Sequence, residues 1–301
     1  MITPAYLKRG DKIGIVAPAR KVIPEEMALA FSVFREWGLE IVEDTSLYEV
    51  HHQYSGTDEQ RTEALQRMLD DDSIKAILCA RGGYGTVRII DRLDWRKFRE
   101  NPKWVVGFSD ITVLHSHIHT NLGIETLHAI MPYSFFHEKL SMESVESLKK
   151  ALFGEKLGYE YVNDFPYRPG HVKAVLTGGN LSLLYALDGT ASDLDTEGKV
   201  LFIEDLDEYL YHFDRMMMKL KRSGKLERLA GLIVGGITEM HDNSIAFGRS
   251  AYEIVQDVVA DYHYPVCFGF PAGHIADNRA LILGREVELE VGDHVMLDFK
   301  G

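Results

Sequence analysis

Trp104-Val105-Val106-Gly107-Phe108-Ser109-Asp110 is the stretch that decides the fold. A short apolar strand runs into a glycine, the chain turns at a serine, and a helix opens directly after it. The helix reads from Asp110-Ile111-Thr112-Val113-Leu114-His115 to a stop at Asn121-Leu122-Gly123, with an acid in the first turn where the dipole favours one. Strand, sharp turn and helix in that order make the shape of a nucleophile elbow. There a hydroxyl stands clear of the sheet and the next backbone N–H faces a developing oxyanion. The full motif is Gly-x-Ser-x-Gly, and Ile111 stands at its last glycine. From these seven residues alone, a helix turn capped by Ser109 is the competing reading.

Upstream, strand and helix signals alternate. Ile13-Gly14-Ile15-Val16-Ala17 is a short apolar run, and Pro24 to Trp37 has helical spacing, with Pro24 in the first turn and Gly38 as the stop. Thr57-Asp58-Glu59-Gln60 predicts a capping box that opens a helix through Leu69. Ile74 to Cys79 reads as a buried strand, followed by the loop Ala80-Arg81-Gly82-Gly83-Tyr84-Gly85 and a helix from Thr86 to Leu93. This βαβα order predicts a Rossmann-like parallel sheet covered by helices, with functional loops at the strands' C-terminal ends. Both the glycine loop and Ser109 fall at such ends.

A helix from about Ser141 to Leu152 closes this half. The aperiodic stretch 154–170, with Pro166 and Pro169, reads as a linker between an N-terminal domain, 1–153, and a smaller mixed α/β C-terminal domain, 171–301. The second half carries a buried strand at Val200-Leu201-Phe202-Ile203, a helix from about Tyr209 to Arg222, an apolar run at Leu232-Ile233-Val234 and a helix from Arg249 to Asp261. Leu281–Leu283, Val287–Val291 and Val295–Leu297 read as antiparallel strands.

With 301 residues, 46% of them apolar and 26% charged, the chain can bury a sizeable core without covalent staples. A formal charge of −13 disfavours nucleic acid and anionic membrane as partners. Cys79 and Cys267 each sit in an apolar run, as small buried hydrophobes do, which suits a reducing compartment. The first ten residues carry charges where a signal peptide needs its apolar region, and no apolar run approaches the roughly 20 residues of a membrane span. The expectation is a cytoplasmic protein.

An activated serine needs a base, and the base needs an acid to hold its tautomer. Of 13 histidines, His274 stands out, because Phe270-Pro271-Ala272-Gly273-His274 places it on a loop after a strand. The strand at Val200 ends in Glu204-Asp205, and spacing does not choose between the two acids. The glycine loop invites a nucleotide reading, but Arg88 stands where Gly-x-Gly-x-x-Gly has its third glycine; a loop amide facing an oxyanion beside Ser109 fits its position better. His115 and His119 share a helical face, yet the Glu of His-Glu-x-x-His is missing, so no metal is expected.

Taken together, Gly14-Ile15-Val16-Ala17-Pro18-Ala19, Tyr54-Ser55-Gly56-Thr57-Asp58, Arg81-Gly82-Gly83-Tyr84-Gly85, Gly107-Phe108-Ser109-Asp110, Thr177-Gly178-Gly179-Asn180, Leu201-Phe202-Ile203-Glu204-Asp205 and Gly273-His274 resemble the ordered motifs of the LD-carboxypeptidase family of serine peptidases. The resemblance runs nearly the full length. It implies a Ser-Glu-His triad, with Ser109 as nucleophile, His274 as general base and acid, and Glu204 as the group that orients it. It further implies an oxyanion hole built from the amide of Asp110 and one from Gly82 or Gly83, no cofactor, and a homodimer. The implied reaction is hydrolysis of the amide between an L-centre and a terminal D-amino acid, releasing D-alanine from small murein peptides. A branch resembling microcin C immunity proteins hydrolyses peptidyl or aminoacyl-nucleotide amides instead. Arg81, Arg88 and Arg279 are candidates for a two-pronged contact with a substrate carboxylate. A non-catalytic ligand-binding module on the same fold is the rival outside enzymes.

Overall fold

A computed structural model of the protein describes residues 1–300. The first half runs β1 (Lys12–Val16), α1 (Pro24–Glu36), β2 (Glu40–Glu43), α2 (Asp58–Asp70), β3 (Ile74–Cys79), α3 (Arg96–Glu100), β4 (Trp104–Gly107), α4 (Thr112–Leu122), β5 (Thr126–His128) and α5 (Met142–Phe153). The second runs β6 (Gly158–Val162), β7 (Gly170–Asn180), α6 (Leu181–Leu187), β8 (Val200–Leu206), α7 (Leu210–Arg222), β9 (Gly231–Thr238), α8 (Ala251–Val258), β10 (Val266–Cys267), β11 (Leu281–Leu283), β12 (Glu286–Val291) and β13 (His294–Phe299).

Two sheets result, and they give the α/β fold expected of the sequence. The first has the order β11-β5-β4-β3-β1-β2; its pairs are parallel except the β11–β5 edge. The second has the order β10-β9-β8-β7-β12-β13-β6, parallel from β10 to β7 and antiparallel beyond. Strands of the parallel parts are buried along nearly their whole length, as strands covered on both faces must be. One apolar cluster runs unbroken from α1 and α5 through strands of both sheets. The two lobes therefore share a core. The buried Arg285–Glu125 pair, 2.5 Å at its shorter contact, joins them again, with Tyr6 Oη accepting from Arg285 at 2.9 Å.

Local chemistry explains most boundaries. Thr57 Oγ1 accepts the Gln60 N–H while Gln60 Oε1 accepts the Thr57 N–H, so the capping box opens α2 as its sequence predicts. Gly123, at φ +65°, ends α4 in the left-handed conformation that favours glycine. Three expectations differ. The helix read over Thr86–Leu93 is two short 3-10 turns, Thr86–Arg88 and Ile90–Arg92, which meet at Ile89. The helix read over Arg249–Asp261 runs only Ala251–Val258, its start set by Ser250, which caps it together with Glu253. Residues 158–162, inside the stretch read as a linker, form the edge strand β6 against β13.

Candidate active site

Ser109 lies directly after β4 and adopts φ +63°, a left-handed conformation that costs a non-glycine residue about 1–3 kcal/mol and clusters at functional sites. The turn that holds it is a 3-10 turn, Ser109–Ile111, from which α4 continues. Ile111, in place of the motif's last glycine, packs over Gly107, where a Cβ would stand 2.8 Å from its Cγ1. The missing second glycine is thus answered by the first.

The glycine loop closes over this turn. A Cβ on Gly82 would lie 3.0 Å from Ser109 Cβ and 3.3 Å from its Oγ, so this position has no room for a larger side chain beside the serine. Asp110 ties the two segments together: its buried carboxylate accepts the Thr86 N–H at 2.8 Å. Burial, acting first, outweighs that bond and pushes the Asp110 carboxyl above its usual range. From the other side, Arg61 Nη1 donates to the carbonyls of Pro18 at 2.6 Å and Gly85 at 2.9 Å. Arg61 is fully buried, with Asp58 as its counter-ion. Sequence reasoning missed this arginine. Its signal was there, since Arg61 falls on the stripe of α2 formed by Ala64, Leu65 and Met68.

Across the cleft, β8 presents Glu204 and Asp205 to opposite faces, because strand side chains alternate. This alternation separates the two acids. Asp205 accepts from Asn180 Nδ2 at 3.0 Å and from the Ser182 N–H at 2.9 Å, which anchors the start of α6. Burial, with the Glu204 charge behind it, pushes its carboxyl up to about 7. Glu204, fully buried, instead accepts from His274 Nδ1 at 2.6 Å and from the His274 amide at 3.2 Å. Burial opposes the Glu204 charge, but the His274 imidazole and its hydrogen bond outweigh it, so the carboxyl sits below its usual range. Likewise burial opposes the imidazolium of His274, yet the Glu204 charge and bond win, with smaller help from Asp205 and Glu239. His274 is held above its ordinary value. With Glu204 ionised, Nδ1 carries the proton and Nε2 is left with a lone pair.

Gly273 makes this contact possible. At φ +107°, its missing Cβ would stand 2.7 Å from Glu204 Cβ. The ring of Phe108, next to Ser109, lies 4.9 Å from the His274 ring, so the serine turn and the imidazole are neighbours. The ring Nδ1 and the amide of His274 both donate to Glu204, its carbonyl accepts from Thr238 Oγ1 at 3.2 Å, and no bond joins its ring to Ser109 among the described residues.

The other candidates are placed as follows. Arg88 is bidentate to Asp58 and Arg279 to Asp277, so each already holds an internal carboxylate. Arg81 stacks on Tyr133, 3.8 Å from the ring centre, with only a long 3.9 Å contact to Glu26. His115 bonds the Gly107 carbonyl, His117 bonds Ser192 and His119 bonds Thr126, so each ring has one nitrogen on an internal partner. Cys79 and Cys267 are buried and free.

A strained serine turn on one lobe and, close to it, a carboxylate-imidazole pair on a second α/β lobe bring together the kinds of side chain that acyl hydrolysis uses. Comparison with known proteins narrows the class. Residues 13–129 match the LD-carboxypeptidase N-terminal domain and residues 173–289 the LD-carboxypeptidase C-terminal domain. The chain belongs to the LD-carboxypeptidase family. The probable murein peptide carboxypeptidase of Bacillus subtilis is 34% identical over 96% of this chain and 92% of its own. The crystal structure of muramoyltetrapeptide carboxypeptidase from Oxalobacter formigenes superposes with a TM-score of 0.87 at 27% identity, over 96% of this chain and 99% of that one. The microcin C7 self immunity protein MccF shares the fold, with a TM-score of 0.88 at 22% identity over 99% of this chain and 98% of its own. No helix among the described residues is long and apolar enough to cross a membrane.

Proposed function

We propose that this chain is a serine-type carboxypeptidase that hydrolyses the amide between an L-centre and a terminal D-amino acid, releasing D-alanine from murein tetrapeptides. The observation that carries the reading is the 2.6 Å bond between His274 Nδ1 and the buried Glu204, which in the neutral ring puts the proton on Nδ1 and the lone pair on Nε2, near the turn that carries Ser109. The relative from Bacillus subtilis and the structure from Oxalobacter formigenes, both named for murein peptides, support the substrate class.

In this mechanism His274 Nε2 takes the Ser109 proton as the hydroxyl oxygen attacks the carbonyl carbon of the L-residue. The amide of Asp110 and that of Gly82 or Gly83 donate to the oxyanion. His274 then gives its proton to the departing amine of the D-residue, and water, activated by the same imidazole, hydrolyses the acyl ester. Glu204 stays ionised throughout and stabilises the imidazolium. Arg81 receives a substrate carboxylate, the role for which its stacked and weakly paired guanidinium is suited. The same reading makes the protein a cytoplasmic homodimer.

The test is release of D-alanine from a purified murein tetrapeptide, with and without a chelator, by the parent and by Ser109→Ala. Chelator-insensitive release that disappears in Ser109→Ala is expected. Undiminished release by the variant overturns the nucleophile assignment, and turnover confined to aminoacyl-nucleotide amides overturns the substrate.

A further inference from the structure

His128 is fully buried, and neither of its ring nitrogens has a hydrogen-bond partner; Glu204 Oε1 is buried and makes no hydrogen bond either, the neighbouring Asn180 amide bonding Asp205 instead. Buried polar atoms are hydrogen-bonded in the great majority of cases, because leaving one bare costs its full desolvation. Three such atoms lie in one neighbourhood, since the Glu204 charge acts directly on the His128 ring. His128 is the last residue of β5, in register with Gly107 at the foot of the serine turn. Its ring meets Phe202 edge-on at 5.0 Å, and Phe202 precedes Glu204 by two residues on β8, hence on the same face. On its other side Phe108 lies 5.9 Å away, and Phe108 in turn packs on His274.

The charged and titratable groups around this point are few. Glu204 faces His128 from β8, His274 from the loop after β10 and His115 from α4; Asp205 and Glu239 reach His274 but not His128 among the largest influences. Burial holds the His128 imidazole neutral, its value brought down to about 3. A neutral ring has one N–H to give, and adds no charge to compete with His274 for the carboxylate.

We infer that His128 is a positioning residue for the Glu204–His274 pair, donating a ring N–H to Glu204 Oε1 through one enclosed water. The last torsion of a glutamate is broad, so a carboxylate gripped at one oxygen swings. Gripped at both, its plane is fixed and Oε2 stays in line with His274 Nδ1.

The inference rests on the peptidase reading only for its effect on rate, and the experiment separates the two. The His274 titration is followed by NMR of labelled histidine in the parent, His128→Phe and His128→Gln, alongside kcat and KM on the tetrapeptide. In His128→Phe the carboxylate swings, burial prevails at His274, and its midpoint is expected to fall by about half a pH unit or more. Its kcat falls about 10- to 100-fold at nearly unchanged KM, the usual effect of losing an outer orienting partner. His128→Gln, which keeps an N–H donor, restores most of both. Where the phenylalanine variant does not fold, His128→Met serves as the donorless side chain. A His274 midpoint unmoved by the donorless variant, or a glutamine variant no better than it, overturns the inference in favour of mere packing. A midpoint that falls in the donorless variant while the parent itself releases no D-alanine sustains the positioning role and removes the peptidase reading instead.

Discussion

Glu204→Gln removes one negative charge and almost no volume from the centre of the proposed site, and its effect can be worked from the geometry. The carboxylate accepts a 2.6 Å bond from His274 Nδ1, a charge-assisted bond worth about 1.5–3 kcal/mol. A carboxamide that turns its NH2 toward Nδ1 also selects the wrong tautomer, with the proton on Nε2 where a lone pair is needed. Together these predict a loss of about 10⁴-fold in kcat, near 5.5 kcal/mol of transition-state stabilisation, with KM little changed. The pH profile should move too. The Glu204 charge is what holds His274 above its ordinary value against burial. Without it burial prevails, the imidazole releases its proton at lower pH, and the acid limb of kcat/KM shifts downward. Steady-state release of D-alanine from a tetrapeptide between pH 5 and 9 (roughly the span over which a histidine base titrates) measures both effects. A loss below tenfold, or an unmoved acid limb, refutes Glu204 as the orienting group. Asp205→Asn is the control; it should weaken the anchor at the start of α6 and spare most activity, and a loss equal to that of Glu204→Gln transfers the role.

Gly82→Ala places a methyl group 3.0 Å from Ser109 Cβ and should cost about 10- to 100-fold in kcat with little change in melting temperature; unchanged kcat would show that the serine turn yields freely. Glu125→Ala leaves the Arg285 charge buried and unpaired, so urea unfolding should show about 3–5 kcal/mol of destabilisation, largely recovered in Glu125→Leu with Arg285→Met. A single-variant cost near zero refutes the pair as a lobe contact. Burial holds His115 at about 4 and His119 and His128 at about 3, so the unfolded chain takes up protons that the folded one refuses; this stability is present above about pH 6.5 and lost as pH falls toward 3. Asp205, raised to about 7, works the opposite way between about pH 4 and 7, and among these four groups the three histidines prevail, so unfolding takes up protons there. Urea midpoints that rise as pH drops from 6 to 4 (roughly the middle of that window) would contradict the sign.

The elements with local signatures were legible in the sequence. The Thr57 capping box, the Gly123 stop and the strand into Ser109 each state their structure within a few residues. What depends on distant partners was not. Gly154 to Gly170 has no period of its own, and β6 exists there because β13 offers it an edge. The turns after Gly85 read as a helix because their composition allows one, while Thr86 is held by Asp110 and Arg88 by Asp58 in a geometry that a regular helix does not supply. At the site, the resemblance chose Glu204 where spacing left Asp205 open, and the physical reason lies in the Asn180 and Ser182 bonds that occupy Asp205. Arg61 and His128 escaped notice because their contacts, to Gly85 and beside Phe202, span more than twenty residues.

The β11 edge gives the molecule's connectivity a further meaning. The chain leaves the second sheet at β10, carries His274 on the intervening loop, adds β11 antiparallel to β5 of the first sheet, and returns to the second at β12. The imidazole therefore rides on a stitch sewn through both lobes. A fragment ending before this stitch would leave β5 with a bare row of amides and carbonyls, the kind of edge that recruits other chains into aggregates. Covalent continuity thus delays completion of the first sheet until late residues arrive, and the base reaches its place in the same step that seals the sheet.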